Sequence, residues 1–133
     1  MAIHVMDQNI FKGDYNAPGI RKIFEEKSIV ESWLMFEGTL AEVQGELGII
    51  PVEVAGEIKN KATLKYVKFE RIAEIHAKVK LASVATIRAL AEACEKNAAE
   101  YVHYGSSCSH VHCRANKVSC RSLTLFLGLY QFH

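Results

Sequence analysis

The sequence has no run of apolar residues long enough to cross a bilayer. The apolar stretch at 123–132 is far shorter than the roughly 20 residues that a membrane-spanning helix requires. Residues 1–10 have neither a basic start nor a long apolar core, so we expect no signal peptide. These absences predict a cytoplasmic protein with no membrane partner.

The sequence also lacks an excess of charge of either sign, since its formal net charge is +1 over 133 residues. Nucleic-acid-binding proteins usually have a basic excess or a basic patch with stacking aromatics, so we expect no nucleic-acid partner. Cysteine is sparse. In a reducing compartment the four cysteines are expected to stay free thiols rather than to form a disulfide framework.

Carboxylates are missing from the last part of the chain. Residues 1–105 contain 13 Lys and Arg and all 15 Asp and Glu, a net charge of −2, whereas residues 106–133 contain three basic residues and no acid. This shift in composition predicts a domain boundary near residue 105. We interpret 1–105 as a helical domain and 106–133 as a divergent tail, either the start of a second domain or out-of-frame sequence.

What the sequence does contain is helical periodicity, and it predicts an all-α fold up to about residue 100. After Ser28, apolar residues recur about every 3.6 positions and form one buried stripe. The Ser28 hydroxyl is expected to cap this helix, in a capping box with Glu31. Gly48 is expected to end it in the left-handed conformation.

Shorter helices are predicted on either side of this one. Pro18 suits the first turn of a short helix, and Pro51 is expected to begin one that runs to about residue 59. Apolar spacing predicts two further helices, at 69–79 and 84–94, and the polar, lysine-rich stretch between 59 and 68 is predicted to be a loop. The apolar residues that mark the last of these helices are Val84, Ile87, Leu90, Ala91 and Cys94.

Five short motifs occur in order along the first 105 residues. They are Tyr-Asn-Ala-Pro within 15–24, Trp-Leu-x-x-Glu at 33–37, Glu-Leu-Gly-Ile-Ile-Pro at 46–51, Ile-Arg-Ala-Leu at 87–90 and Tyr-Val-His-Tyr-Gly at 101–105. Together they resemble the N-terminal helical domain of the fumarase/aspartase superfamily. Within that family the similarity is greatest to the adenylosuccinate lyase and 3-carboxy-cis,cis-muconate cycloisomerase branches.

The resemblance implies an activity and a substrate class. The family catalyses β-elimination that releases fumarate, or the related lactonisation of a muconate. Both reactions need an acid and a base, together with fixed donors for the charge that develops beside a carboxylate. The implied partner is a dicarboxylate or adenylosuccinate-type substrate. No cofactor is implied, and family members are homotetramers built on a bundle of long helices.

The resemblance also implies the residues that would line the substrate carboxylates, namely Tyr15, His103, Tyr104, Ser106 and Ser107. No catalytic residue is assigned, because the family's acid, base and central helical bundle come from sequence that this chain does not contain. The expected function is therefore a lyase fragment that is inactive alone, and the family's homotetramer is not expected for it.

The sequence departs from the family pattern in three places. The Thr-Ser-x-Asp stretch that follows the His-Tyr-Gly motif is Ser-Cys-Ser-His at 107–110, so a thiol and an imidazole replace a hydroxyl and a carboxylate. The family's Thr-x-His falls on 79–81, which ends in a leucine. Asp14 occupies the place of an arginine in adenylosuccinate lyases, and this change favours the cycloisomerase-like branch or another relative.

Two other classes of function fit the residues. One is a non-enzymatic helical interaction domain, and His76, on the apolar stripe of its helix, is interpreted as a buried or interface histidine. The other is a small zinc-binding module, since thiolates and imidazoles bind zinc well. Its candidate ligands are Cys108, His110, His112, Cys113 and Cys120. Their spacing fits none of the usual ligand pairs, so we predict no metal site.

Overall fold

The computed structural model describes residues 22–23 and 25–111, and these residues form helices and turns without a strand. The helices are α1 (Glu26–Glu46), α2 (Val52–Lys61), α3 (Phe69–Val79), α4 (Ala82–Ala93) and α5 (Lys96–Ala99). The predicted all-α fold is confirmed for this part of the chain. The helix predicted from Pro18 lies outside the described residues, except that Lys22 and Ile23 are helical. None of the described helices combines the length and apolar composition needed to span a bilayer.

Helix α1 begins earlier than the capping-box pattern predicts. Its first residue is Glu26, and Glu25 occupies the N-cap position without a side-chain cap. Ser28 lies inside the first turn, and its hydroxyl donates a hydrogen bond of 2.7 Å to the Lys22 carbonyl. The predicted cap at Ser28 is therefore wrong. The hydroxyl satisfies a carbonyl of the preceding turn instead of an amide of its own helix.

The end of α1 follows the prediction. Gly48 has a φ of +69°, which an L-residue with a side chain adopts only with strain. The amide of Gly48 donates to the Gly45 carbonyl at 3.1 Å, and the amide of Ile49 donates to the Gln44 carbonyl at 2.9 Å. This pair of bonds is the Schellman motif, which satisfies the last carbonyls of a helix. The chain then turns directly into α2.

Small residues let α1 and α2 approach closely. A Cβ added at Gly45 would lie 2.6 Å from the Ala55 Cβ, and one added at Gly38 would lie 3.3 Å from the Ala62 Cβ. The fully buried Ile58 side chain lies between these positions on α2. Burying a side chain of that size stabilises a fold by about 1.5–3 kcal/mol. Helix α2 ends at Lys61, two residues later than predicted.

Helices α3 and α4 form the second packed pair. Arg71 on α3 binds Glu92 on α4, with an Nε–Oε2 distance of 2.6 Å, and also pairs with Glu74. Helix α4 also contacts α1 and α2. Its most buried side therefore takes small residues, and Ala85 is fully buried whereas Val84 and Ile87 are only half-buried. The predicted helix is confirmed, and of the apolar residues that marked it Leu90 is fully buried while Ile87 packs against the edge of the core.

Candidate functional site

The turn at 101–105 directly follows α5 and contains the His-Tyr-Gly motif. His103 has a φ of +63° and Gly105 a φ of +64°. Glycine adopts this conformation without cost, whereas for histidine it is uncommon. Backbone strain of this kind persists only where surrounding contacts hold the residue in place. The contacts that hold His103 come from helix α1.

Glu37 on α1 makes the principal contact with His103. The Nδ1 atom of His103 lies 2.7 Å from the Oε1 atom of Glu37. The Glu37 side chain is 1% exposed and the His103 side chain 14% exposed, so the pair lies almost wholly inside the protein. A buried carboxylate close to Nδ1 fixes the orientation of the imidazole ring and directs Nε2 away from the pair.

Burial and the histidine act on Glu37 in opposite directions. Burial raises the pKa of the Glu37 carboxyl above its ordinary value because the charged form loses its hydration, and His103 opposes this rise through its charge and hydrogen bond. Within the described part of the chain, Oε2 of Glu37 and Nε2 of His103 are both buried and have no hydrogen-bond partner. The pair thus keeps one free acceptor and one free ring nitrogen.

A second contact from α1 holds the same turn. The Nε2 atom of Gln44 donates a hydrogen bond of 2.8 Å to the Tyr104 carbonyl. Glu37 and Gln44 are seven residues apart, which is about two helical turns, so they lie on one face of α1. This pair of contacts, Glu37–His103 and Gln44–Tyr104, is called the α1–turn contact below.

The residues predicted to line a carboxylate site lie in different environments. Tyr15 is outside the described residues. The Tyr104 side chain is exposed, and its ring centroid lies 5.8 Å from that of Tyr101. Ser106 is half-buried, and Ser107 is exposed. His103 contacts α1 through its side chain and Tyr104 through its carbonyl, and the two serines follow the turn.

Ser107 caps the short helical turn at 108–111. Its hydroxyl lies 2.8 Å from that of Ser109, and its amide donates to the Nδ1 atom of His110 at 3.2 Å. The His110 amide in turn donates to the Ser107 carbonyl at 2.8 Å. This arrangement resembles a capping box in which histidine replaces the usual glutamate. The Ser106 amide donates to the His103 carbonyl at 3.2 Å, whereas no side-chain hydrogen bond joins either serine to His103 among the described residues.

Sequence reasoning missed two residues of the α1–turn contact, Glu37 and Gln44. A signal for Glu37 was available, because it falls on the apolar stripe of α1, three residues after Leu34 and four before Ala41. A carboxylate at a core position is almost never fully buried without a partner. That rule points to a paired carboxylate, although it cannot identify the partner.

Metal chemistry finds no support in the part of the chain that the structure describes, since no three His, Cys, Asp or Glu residues come together there. Of the candidate zinc ligands weighed from the sequence, His112, Cys113 and Cys120 lie outside that part. Cys94 is half-buried, and burial raises the pKa of its thiol to about 11, with a smaller contribution from Glu57. The thiol of Cys94 therefore stays protonated, and unreactive as a nucleophile, near neutral pH.

Two surface grooves lie away from His103. The larger one, about 850 Å³, runs between α1 and α3, and Trp33, Ile72 and His76 are among its lining residues. His76 is exposed there, so the interpretation of it as a buried histidine is wrong, and the alternative of an interface histidine stays a prediction. A second groove of about 390 Å³ lies between α1 and α2, with Leu34 and Ala62 in its wall. The α1–turn contact belongs to neither groove.

Comparison with known proteins shows similarity to lyases over most of the chain. It is 46% identical to the adenylosuccinate lyase of Methanocaldococcus jannaschii over 118 residues, 89% of this chain and 24% of that enzyme. It is 39% identical to the adenylosuccinate lyase of Methanothermobacter thermautotrophicus, over 91% of this chain and 26% of the enzyme. The N-acetyl-S-(2-succino)cysteine lyase of Dickeya dadantii is 30% identical over 79% of this chain and 23% of its own length.

The chain spans about a quarter of the length of the curated relatives that it matches. No family model matches it, and no solved structure matches it at a significant level. The helical fold and the relatives agree with the resemblance carried by the five sequence motifs. Over that quarter of their length, the chain belongs with the lyases of the fumarase/aspartase superfamily.

Proposed function

We propose that this chain supplies a carboxylate-binding part of a lyase active site, centred on His103. The observation that carries the proposal is the buried Glu37–His103 pair, in which Nδ1 is engaged at 2.7 Å while Nε2 has no partner among the described residues. A ring nitrogen oriented in this way can donate a hydrogen bond to a substrate carboxylate. Tyr104, Ser106 and Ser107, with Tyr15, are the further residues that we assign to this site.

The names of the relatives support a succinyl group as the recognised part of the substrate. One set of relatives is named for adenylosuccinate and another for N-acetyl-S-(2-succino)cysteine. These molecules differ in the group that carries the succinyl unit and share the unit itself. Since both enzymes resemble the same region of this chain, we assign that region to the shared dicarboxylate. The proposed reaction class of the complete site is elimination that releases fumarate.

We further propose that the chain alone does not turn over substrate. The described residues contain one imidazole–carboxylate pair, whereas elimination needs a base at one position and an acid at another. The match to the relatives leaves 12 of the 133 residues uncovered and so extends past residue 105, which supports 106–133 as a continuation of lyase sequence, at least in part. Cytoplasmic residence, a role in purine biosynthesis and a homotetrameric complete enzyme are part of this proposal.

Ligand binding by the purified full chain tests the proposal. Succinate and fumarate are titrated into ¹⁵N-labelled protein, and amide shifts are followed by NMR. Because Nε2 is buried, a ligand must displace the atoms that cover it, so we expect weak binding, with a Kd of about 1 mM or above. Shifts concentrated at 101–107 and around Glu37 are the expected result. Absorbance of fumarate with adenylosuccinate as substrate should stay at background.

A matched variant, His103→Asn, separates binding from folding. Asparagine tolerates a positive φ, and its Nδ2 atom takes about the place of Nδ1, but it has nothing in place of Nε2. The variant should fold and fail to bind succinate. Succinate binding of equal strength by the wild-type chain and this variant would contradict the proposed role of His103. Turnover of adenylosuccinate by the chain would contradict the proposed lack of activity.

A second function, interaction with a second copy of this chain, is favoured by one surface. Leu47, Ile49 and Val52 are 70%, 53% and 72% exposed, and all three lie where α1 turns into α2. Contiguous exposed apolar groups of this kind are typical of interaction surfaces. Sedimentation velocity tests the idea. Association of the wild-type chain that Leu47→Lys abolishes would support it, and a monomer at all concentrations would contradict it.

A further inference from the structure

The Glu37–His103 pair contains two titratable groups that a single hydrogen bond joins inside the protein. The distance between Nδ1 of His103 and Oε1 of Glu37 is 2.7 Å, and the Glu37 side chain is 1% exposed. Groups this close do not titrate independently, because the charge of each changes the proton affinity of the other. The pair must therefore be treated as one site with a shared number of protons.

The proton count of this site decides what Nε2 can do. With the pair electrically neutral as a whole, either the carboxylate faces an imidazolium or a neutral carboxylic acid donates to Nδ1. In both arrangements Nε2 carries a hydrogen and can donate it. When the pair loses one proton to solvent, Nδ1 keeps the remaining hydrogen for the carboxylate, and Nε2 becomes an acceptor. A substrate carboxylate can be bound only in the first state.

We infer that Glu37 is a positioning residue that makes His103 a proton-dependent anion receptor. When the pair has already lost one proton to solvent, binding of a carboxylate at Nε2 takes one proton up again. This inference rests on the proposed function for the choice of ligand. The proton sharing itself rests only on the geometry of the pair. The site would therefore be regulated by pH, because its affinity for a dicarboxylate falls as pH rises above the midpoint of the pair.

Other charged groups nearby are engaged or face solvent. Among the described residues, His103 is the group whose charge acts on Glu37. On α1 and α2, Glu42 pairs with Lys59 at the surface, and Glu57 accepts the Glu95 amide at 2.6 Å. On α4, α5 and the following turns, the charged or titratable groups Arg88, Lys96, Glu100, Tyr104 and His110 are exposed. Tyr101, in the same turn as His103, is half-buried.

NMR of the ligand-free full chain tests the proton sharing directly. The ¹³C signal of the Glu37 carboxyl and the ¹⁵N signals of the His103 ring are followed from pH 4 to 9. We expect the NMR signals of both residues to change with pH at one common midpoint, and the Nε2 signal below that midpoint to be that of a nitrogen that carries a hydrogen. In Glu37→Gln, which keeps the shape and cannot share a proton, the His103 signals should change their pH dependence. Separate midpoints in the wild-type chain would overturn the inference, even if the variant fails to fold.

Calorimetry with succinate separates this inference from the proposed function. Binding heats are measured in two buffers of different ionisation enthalpy, above and below the common midpoint. Above it we expect uptake of about one proton and an affinity that falls about tenfold per pH unit. Binding without proton uptake would overturn the inference and leave the proposed function in place. A common midpoint without any succinate binding would support the proton-sharing pair and reject the proposed function.

Discussion

Two of the contacts that helix α1 makes are of opposite character. Toward α2 it presents Gly38 and Gly45, and the contact is apolar and limited by shape. Toward the turn at 101–105 it presents Glu37 and Gln44, and the contact consists of hydrogen bonds. Both contacts use the same stretch of helix, since their residues alternate along 37–45. A single helix thus joins an apolar core to a polar site.

The two contacts differ in what they tolerate. An apolar contact loses stability when volume is removed or added, and its strength is nearly independent of pH. A buried polar contact depends on each partner being satisfied, because an orphaned buried group costs about 1–3 kcal/mol. Mutations in the two contacts should therefore differ in their pH dependence as well as in their size.

The largest expected effect is in the apolar contact. Ile58→Ala removes a side chain that is 1% exposed, and the cavity should lower the free energy of unfolding by about 3 kcal/mol. The loss should be the same at pH 5 and pH 8. Urea unfolding followed by circular dichroism measures it. Val52→Ala on the same helix, at a side chain that is 72% exposed, is the control and should change stability by less than about 0.5 kcal/mol. A strong pH dependence of the Ile58 effect would break the comparison.

The next effect is in the α1–turn contact. His103→Ala leaves Glu37 buried without its partner and should lower the free energy of unfolding by about 2–3 kcal/mol near pH 7. Since His103 opposes the rise in the Glu37 pKa, its removal raises that pKa further, and the loss should grow with pH. The same urea experiment, repeated from pH 5 to 8, measures this.

His103→Asn is the control, because it keeps a donor near Glu37 and tolerates the positive φ. It should recover at least half of the stability that the alanine variant loses. Equal losses for the two variants would mean that the contact with Glu37 contributes little, and that the polar side of the comparison rests on some other feature of the turn.

A smaller effect separates shape from helix propensity. Gly45→Ala places a Cβ 2.6 Å from that of Ala55, so overpacking should outweigh the gain in propensity and lower stability by about 1 kcal/mol. Gly56→Ala on α2 has open space around the added Cβ and should raise stability by about 0.5–1 kcal/mol. Thermal melting of both variants measures these two changes in stability. A stabilising Gly45→Ala would show that α1 and α2 can move apart without cost.

Sequence patterns predicted one side of this comparison far better than the other. The periodicity after Ser28 and the glycine at 48 predicted α1 and its end, and Pro51 predicted the start of α2. These features are local, because a helix face and a Schellman turn are specified within a few residues. The start of α1 was missed, since a serine hydroxyl can bond a preceding carbonyl as readily as a following amide.

The polar side depends on contacts between distant residues. Glu37 and His103 are 66 positions apart, and no periodicity connects them. The family resemblance implied a site role for His103, but it did not show what holds the ring. The most buried positions of α4 also depend on distant contacts. Close packing against four described helices selects the small residue at 85 and the hydroxyl of Thr86, which donates to the Ala82 carbonyl at 3.0 Å.

The smallest predicted effect is the pH dependence that Glu37 imposes on the wild-type chain. Burial raises the pKa of this carboxyl above its ordinary value of 4.5, so the folded chain holds the proton to a higher pH than the unfolded chain does. Its contribution to stability is complete below about pH 4.5 and is lost as pH rises through the folded pKa. Glu37→Gln has no proton to lose at this position. The variant should therefore lose less stability than the wild-type chain between pH 4.5 and 8, as measured by urea unfolding in steps of one pH unit. Parallel curves for the two chains would contradict a raised pKa of Glu37 in the folded chain, and the polar contact would then show no more pH dependence than the apolar one.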